Sequence, residues 1–238
     1  MPIAQTLYQG IPDHIYVTRL VRGSIWTGAE LSDGSTGLAM HVTTATQPRI
    51  RETLVGLSAR QASQSLDSWN LEEASDAMAV INAWYNHENR LKEIGRVYNY
   101  LDPCTTGMDT AGKTIALVGR LSLSPDTLAG AKQVYVLERN PKPGDYPDMA
   151  CEELLPQCNL VIITGSAFVN KTIPRLLELS SRARVIVIGP STPLCPGLIS
   201  AGIDRLCGMA VTHKERMLTN IATEQKSGYH YGSAWMLP

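Results

Sequence analysis

Four short segments in the second half of the chain concentrate side chains able to hold or transform a ligand. They are Gly119-Arg120-Leu121-Ser122, Glu138-Arg139-Asn140-Pro141, Thr164-Gly165-Ser166-Ala167-Phe168-Val169-Asn170-Lys171-Thr172 and Gly189-Pro190-Ser191-Thr192-Pro193-Leu194. Each follows an apolar run and joins Gly or Pro to hydroxyls, amides or charges. In the third, Gly165 lets the backbone approach a ligand closely. Ser166, Asn170 and Thr172 offer donors and acceptors where a helix begins, and free N–H groups there favour an anion. Asn170 or Thr172 serves equally as a plain N-cap of that helix. Ser191 and Thr192 repeat the pattern in the fourth segment. Pro190 and Pro193 stiffen that segment, as either a preorganised site or a structural turn requires.

Glu138 lies 19 residues after Gly119. An acid about 20 residues beyond the first turn of a nucleotide-binding sheet binds ribose hydroxyls. The turn here reads Gly-Arg-Leu-Ser, without the glycines that admit a pyrophosphate. This argues against NAD or FAD and leaves open an adenosine-bearing ligand without pyrophosphate. A salt bridge from Glu138 to Arg139 or Lys142 is the structural alternative. A metal site made by the protein alone is not expected. The five histidines are dispersed, and Cys151 and Cys158 stand seven apart, too far along a helix for one ion. No GxSxG marks a hydrolase nucleophile.

The elements that must position these segments alternate. Apolar strands are predicted at 114–119, 133–138, 160–165 and 184–190, with a weaker fifth at 204–206. Helices are predicted at 125–131, 147–155, 171–181, 196–201 and 213–224. Continuously apolar strands fit a parallel sheet covered on both faces, and ligands bind at the carboxyl ends of such strands. The first half differs. Runs at 15–21, 24–31 and 36–42, with the turn Ser32-Asp33-Gly34-Ser35, predict an antiparallel three-strand meander. Helical spacing follows over 50–101. Asn70 is the expected N-cap, with Glu73 completing a capping box, and Ala74, Ala77, Met78, Ile81, Trp84 and Tyr85 form the packed face. At the end of this helix, Asn82 and Asn86 either hold the second half or reach a ligand between the halves. Residues 99–112 read as a linker. The expected fold is α/β, with an α+β domain at 1–110 and a Rossmann-like doubly wound domain at 111–238.

The chain has 238 residues, between one domain and two, and a long enough sequence to bury a core without disulfides. It carries 21 basic and 22 acidic side chains, so a nucleic-acid surface is not expected. No apolar run approaches a membrane span, and the start MPIAQTLYQGIPDH is not read as a signal peptide. Five cysteines without a CxxC suit a reducing cytoplasm. The aromatic tail at 229–235 is read as covering its own sheet, closing a cleft or joining a partner, and a homodimer is the default assembly.

The second, third and fourth segments, with Asp33-Gly34, Gly37-Leu38-Ala39 and Ile81-Asn82-Ala83-Trp84-Tyr85-Asn86, resemble the "putative heavy-metal chelation" family. The resemblance covers roughly residues 10–220. It implies an enolase-N-terminal-like domain, a Rossmann-like domain and a ligand cleft between them. Arg120 stands in a turn that departs from the Gly-His-Phe-Pro-like turn of many relatives. Two functions follow. One is binding of a small polar ligand, a metal chelate or chelating metabolite, in that cleft. The other is an enzyme acting on an adenosyl-type or other small substrate, with Glu138, Arg120, Lys171 and His87 as candidates for turnover. The ligand-binding set is Arg120, Glu138, Thr164, Gly165, Ser166, Asn170, Thr172, Pro190, Ser191, Thr192, Asn82 and Asn86. The expected cofactor is a ligand-borne metal or an adenosyl compound.

Overall fold

The computed structural model describes residues 3–43, 46–49, 53–97, 109–224 and 231–237. Most of the expected linker, and Tyr229 and His230 of the tail, lie outside them. The chain begins with α1 (Ile3–Gln9), then β1 (Val17–Arg22), β2 (Trp26–Leu31) and β3 (Thr36–Met40), an antiparallel meander in the order β1-β2-β3. Gly34 takes φ +82° in the β2–β3 turn, which a side chain would resist. Asp33 Oδ1 accepts the Ser35 N–H at 3.0 Å and its hydroxyl at 2.6 Å, fixing the turn.

Three helices follow, α2 (Ala59–Ser63), α3 (Leu71–Tyr85) and α4 (Glu88–Ile94). Asn70 caps α3 as expected, its Oδ1 accepting the N–H groups of Glu72 at 2.9 Å and Glu73 at 3.2 Å. The other half of the expected capping box is diverted. The Glu73 carboxylate bonds the Ser68 hydroxyl and the Arg49 N–H, and the Asn70 N–H goes to Ser68 Oγ. Residues Ala74 to Ala83 of α3 are buried on every side, because the helix lies between the meander and the second half. A Cβ on Gly37 would sit 2.1 Å from Ala83 N, so β3 and α3 meet backbone to backbone.

The second sheet has eight strands: β4 (Arg96–Val97), β5 (Thr114–Val118), β6 (Gln133–Glu138), β7 (Tyr146–Pro147), β8 (Leu160–Thr164), β9 (Arg184–Ile188), β10 (Arg205–Val211) and β11 (Gly232–Leu237), in the order β4-β11-β10-β9-β8-β5-β6-β7. The five expected strands form its parallel body, and the fifth runs to Val211 rather than stopping at 206. Its strand order reverses between β5 and β8, and such a switch point is where open sheets bind ligands. Arg96–Val97 joins this sheet through β11, from the N-terminal side of the expected division at 110. The tail covers its own sheet: β11 pairs antiparallel with β10, and Tyr231, Trp235 and Met236 are buried. The argument for the tail as an exposed partner contact therefore fails.

The crossovers are shorter than expected. Full α-turns form in α5 (Cys151–Leu154), α6 (Ser166–Val169), α7 (Ile173–Leu179) and α8 (Lys214–Ala222), whereas Pro125–Leu128 and Pro196–Ala201 are 3-10 turns. Each of those two begins at a proline, and glycines at positive φ, Gly130 and Gly202, follow them closely. Helix α8 crosses back to the meander. A Cβ on Gly28 would meet Ile221 and Leu218 at 2.9 Å, and Lys214 pairs with Glu30 at 2.6 Å.

Candidate functional site

A cleft of about 540 Å³ opens at the carboxyl ends of β5, β6 and β8, and residues 40–43, at the end of β3 and just after it, wall it from the other half. Six of the expected ligand residues line it: Arg120, Glu138, Thr164, Ser166, Asn170 and Thr172. Strand ends place the first four. Gly119, at φ +94°, turns the chain after β5, where a Cβ would meet Thr164 Cγ2 at 2.6 Å. Thr164 and Ser166 hydroxyls stand 3.3 Å apart on one wall. Asn170 Oδ1 accepts the Thr172 N–H at 3.2 Å and its hydroxyl at 2.7 Å, closing a local turn around Lys171, which has φ +65°.

Glu138 makes neither of the salt bridges considered for it. One carboxylate oxygen accepts the Arg120 N–H at 2.8 Å and the other the Arg139 N–H at 2.8 Å. It thus latches the loops after β5 and β6. The Arg120 guanidinium pairs with Asp145. Arg175 holds Glu152 at 2.9 and 2.5 Å and Glu178 at 2.8 Å. Burial, aided by the charges of Asp148 and Glu152, pushes the Cys151 thiol up to about 11.

The other six expected residues do not line the cleft. They build a buried seam between the halves. Asn86 Nδ2 donates to the Thr192 carbonyl at 2.9 Å, and its Oδ1 accepts the Leu194 N–H at 2.8 Å. Asn82 Nδ2 donates to the carbonyls of Leu38 at 2.7 Å and Pro190 at 3.4 Å. Ser191 Oγ accepts the Met40 N–H at 2.8 Å. A Cβ on Gly165 would lie 2.5 Å from Thr192 Oγ1, so Gly165 makes room for the neighbouring loop. Asn82 Oδ1 and Thr192 Oγ1 are buried without a hydrogen-bond partner among the described residues, a desolvation cost of the seam. The seam acts on the cleft indirectly, because Ser191 and Asn82 hold the end of β3, where Met40 enters the wall.

Two candidates for turnover lie elsewhere. Lys171 Nζ turns away from the cleft to the carbonyls of Leu66, at 2.6 Å, and Ser68, where burial holds its pKa below the ordinary lysine range. The left-handed backbone at Lys171 sends its side chain opposite to Asn170 and Thr172. His87 precedes α4, and burial with the neighbouring Arg90 lowers its pKa. The sequence reading missed Met40, His41, Thr43, Asp148, Met149, Cys151, Glu152 and Arg175 as cleft residues. No spacing marks them; Met40, His41 and Thr43 come from the end of β3 and the residues after it, Asp148, Met149, Cys151 and Glu152 from the segment after β7, and Arg175 from α7.

A family model described as "Putative heavy-metal chelation" (DUF364) matches residues 102–236, and a second with the same description (DUF4213) matches residues 5–85. The first alone spans more than half of the sequence. The chain belongs to this family. A solved structure of a family protein of unknown function from Desulfitobacterium hafniense is 33% identical, covers 99% of this chain and 97% of its own, and has a TM-score of 0.87. Another, from Pyrococcus horikoshii, shares the fold at 23% identity and a TM-score of 0.80, covering 99% of this chain and 97% of its own. An uncharacterized protein of Methanocaldococcus jannaschii is 27% identical over 157 residues, 62% of this chain and 55% of its own length. The match spans about half of that relative. For a family of this description the donor set matters. Among the described residues no three His, Cys, Asp or Glu side chains are placed to hold one ion. Also among them, no helix is long and apolar enough to cross a membrane.

Proposed function

We propose that this family member binds a small polar ligand that brings its own metal-binding atoms, a metal chelate or a chelating metabolite, in the cleft between its halves. The observation that carries the reading is the cleft's composition. Hydroxyls and amides of Thr164, Ser166, Asn170 and Thr172 face a cavity at the sheet's switch point, with no protein-only cluster for a bare ion among the described residues. Such groups suit a polar organic ligand better than a naked cation. The near-zero net charge supports a small molecule over a nucleic acid. Buried free thiols at Cys151, Cys158, Cys195 and Cys207 support a cytoplasmic setting. We keep the division at residue 110 and the homodimer as parts of the proposal, to be tested by limited proteolysis and light scattering.

Isothermal titration with metal–nitrilotriacetate complexes tests the reading. Wild type should bind the chelate, and Ser166→Ala with Asn170→Ala should weaken it. Bare-ion binding of equal strength in that double variant would overturn it. Native mass spectrometry of purified protein gives the other outcome. A retained adenosine-containing molecule would replace the chelate reading with the adenosyl-substrate one, for which Glu138 at the end of β6 is the ribose candidate.

A further inference from the structure

Helix α7 and the residue before it present two faces to open space. Thr172, Arg175, Leu176 and Leu179 line the cleft, while Ile173, Pro174, Leu177 and Glu178 line a second cavity of about 600 Å³. The helical period separates the two sets. The cavities share no lining residue, so the second is a separate space behind a wall one helix thick. Helix α1, the turn at Leu66 and Asp67, and Phe168 of α6 complete it. Its lining is mostly apolar, and apolar pockets of this size hold small molecules that a few polar groups orient.

One ammonium stands in this apolar wall. Lys171 takes φ +65°, which glycine adopts freely and a lysine adopts with strain. The turn leaves Asn170 and Thr172 on the cleft and puts Lys171 on the second cavity. An ammonium has three donors. Two go to the carbonyls of Leu66, at 2.6 Å, and Ser68. Both acceptors are uncharged, and no ion pair among the described residues neutralises Lys171. The two acids in the same wall are already held. Glu178 pairs with Arg175 at 2.8 Å, and Asp67 accepts the Tyr8 hydroxyl at 3.3 Å. An anion gains the spare donor of Lys171, whereas a cation must compete with Arg175 or Tyr8 for its partner.

From this geometry we infer a second ligand site, for a small amphipathic carboxylic acid. Its apolar part lies against Leu66, Phe168, Ile173 and Leu177, and its carboxylate accepts the third hydrogen bond of Lys171. The site does not depend on what occupies the cleft.

Isothermal titration of the full chain near neutral pH tests it. Decanoate below its micelle concentration is the probe, with decanol and decyltrimethylammonium as neutral and cationic comparators of equal chain length. Decanoate should bind one-to-one and about tenfold more tightly than decanol, as one hydrogen bond to a charged group supplies. Lys171→Met keeps the apolar stem and removes the charge. It should weaken decanoate about tenfold and leave decanol unchanged. Ala4→Phe fills the cavity from the half-buried face of α1 and should abolish binding of both. Circular dichroism melts check that each variant folds, and Ala4→Phe with the head-group series decides the matter if Lys171→Met does not. No binding of decanoate at millimolar concentration overturns the site. So does decanol or decyltrimethylammonium binding as tightly as decanoate, and so does decanoate affinity unchanged by either substitution in a folded protein.

Discussion

The cleft and the seam are built from the same kinds of residue, in the same loops, a few positions apart. Ser166, Asn170 and Thr172 face open space, while Gly165, Ser191 and Thr192 are covered. Asn86 spends both ends of its amide on the backbone of the 192–194 segment, but Asn170 spends its oxygen on its own turn. The difference teaches that a polar residue at a strand end has two fates. Where a second layer of chain supplies backbone partners it becomes glue. Where the layer stops, its remaining hydrogen-bonding capacity is left to a ligand.

If this division holds, substitutions should split into stability effects at the seam and binding effects at the cleft. The largest effect is expected for Gly165→Ala. Its Cβ would lie 2.5 Å from Thr192 Oγ1 and 2.6 Å from Thr192 N, and backbone cannot yield cheaply. A loss of about 3 kcal/mol should appear in urea unfolding; an unchanged midpoint would break the picture of a tight seam. Asn86→Ala strands the Thr192 carbonyl and the Leu194 N–H in a buried setting. It should cost about 2 kcal/mol by the same measurement.

At the cleft the expected stability effects are smaller. Asn170→Ala opens the turn at Thr172 and should cost about 1 kcal/mol, with chelate affinity falling alongside. Asp33→Asn is a control outside both regions. Burial opposes the Asp33 charge, but the Ser35 hydroxyl and N–H and the Arg90 guanidinium, at 2.8 Å, hold its pKa below the usual carboxylate value. A depressed folded-state pKa stabilises above the unfolded value of about 3.9, and that contribution is lost as pH falls through the folded value. Thermal melts should therefore show Asp33→Asn less stable than wild type near neutrality, by under about 1 kcal/mol after solvent screening, with the difference shrinking as the pH falls below the unfolded carboxylate value. Ser166→Ala should change stability by less than about 0.5 kcal/mol and still weaken the ligand. A stability loss at Ser166 matching that at Asn86 would erase the distinction between the regions.

Much of the architecture was legible in residue patterns. The β-branched runs gave the parallel strands, Asp33-Gly34 gave the meander turn, and Asn70 gave the start of α3. Those signals are local, because each reports a backbone preference or the burial of one face. The two-residue strands β4 and β7 are too short to carry a period. Strand β11 opens with Gly232-Ser233-Ala234, which lacks strand-forming side chains, so its place beside β10 came from the sheet's unpaired edge. At the site, strand-end chemistry located the polar loops but could not sort them. Asn82 read equally as glue or ligand contact. Lys171 read as a cleft residue until the left-handed backbone turned it toward Leu66 and Ser68.

The amino-acid sequence by itself determined which segments are strands and helices, and that polar groups gather at the carboxyl ends of the parallel strands. Both follow from the period of apolar residues and from Gly and Pro punctuation, which act over a few residues. Tertiary structure alone decided which polar groups are spent and which are free. It set Asn86 against the 192–194 backbone, brought Met40 over β5 and β8, and folded Met149 and Cys151 onto the same cleft. A hydrogen bond or an open wall depends on what stands 3 Å away in space, and residues more than 100 positions apart supply that neighbour here.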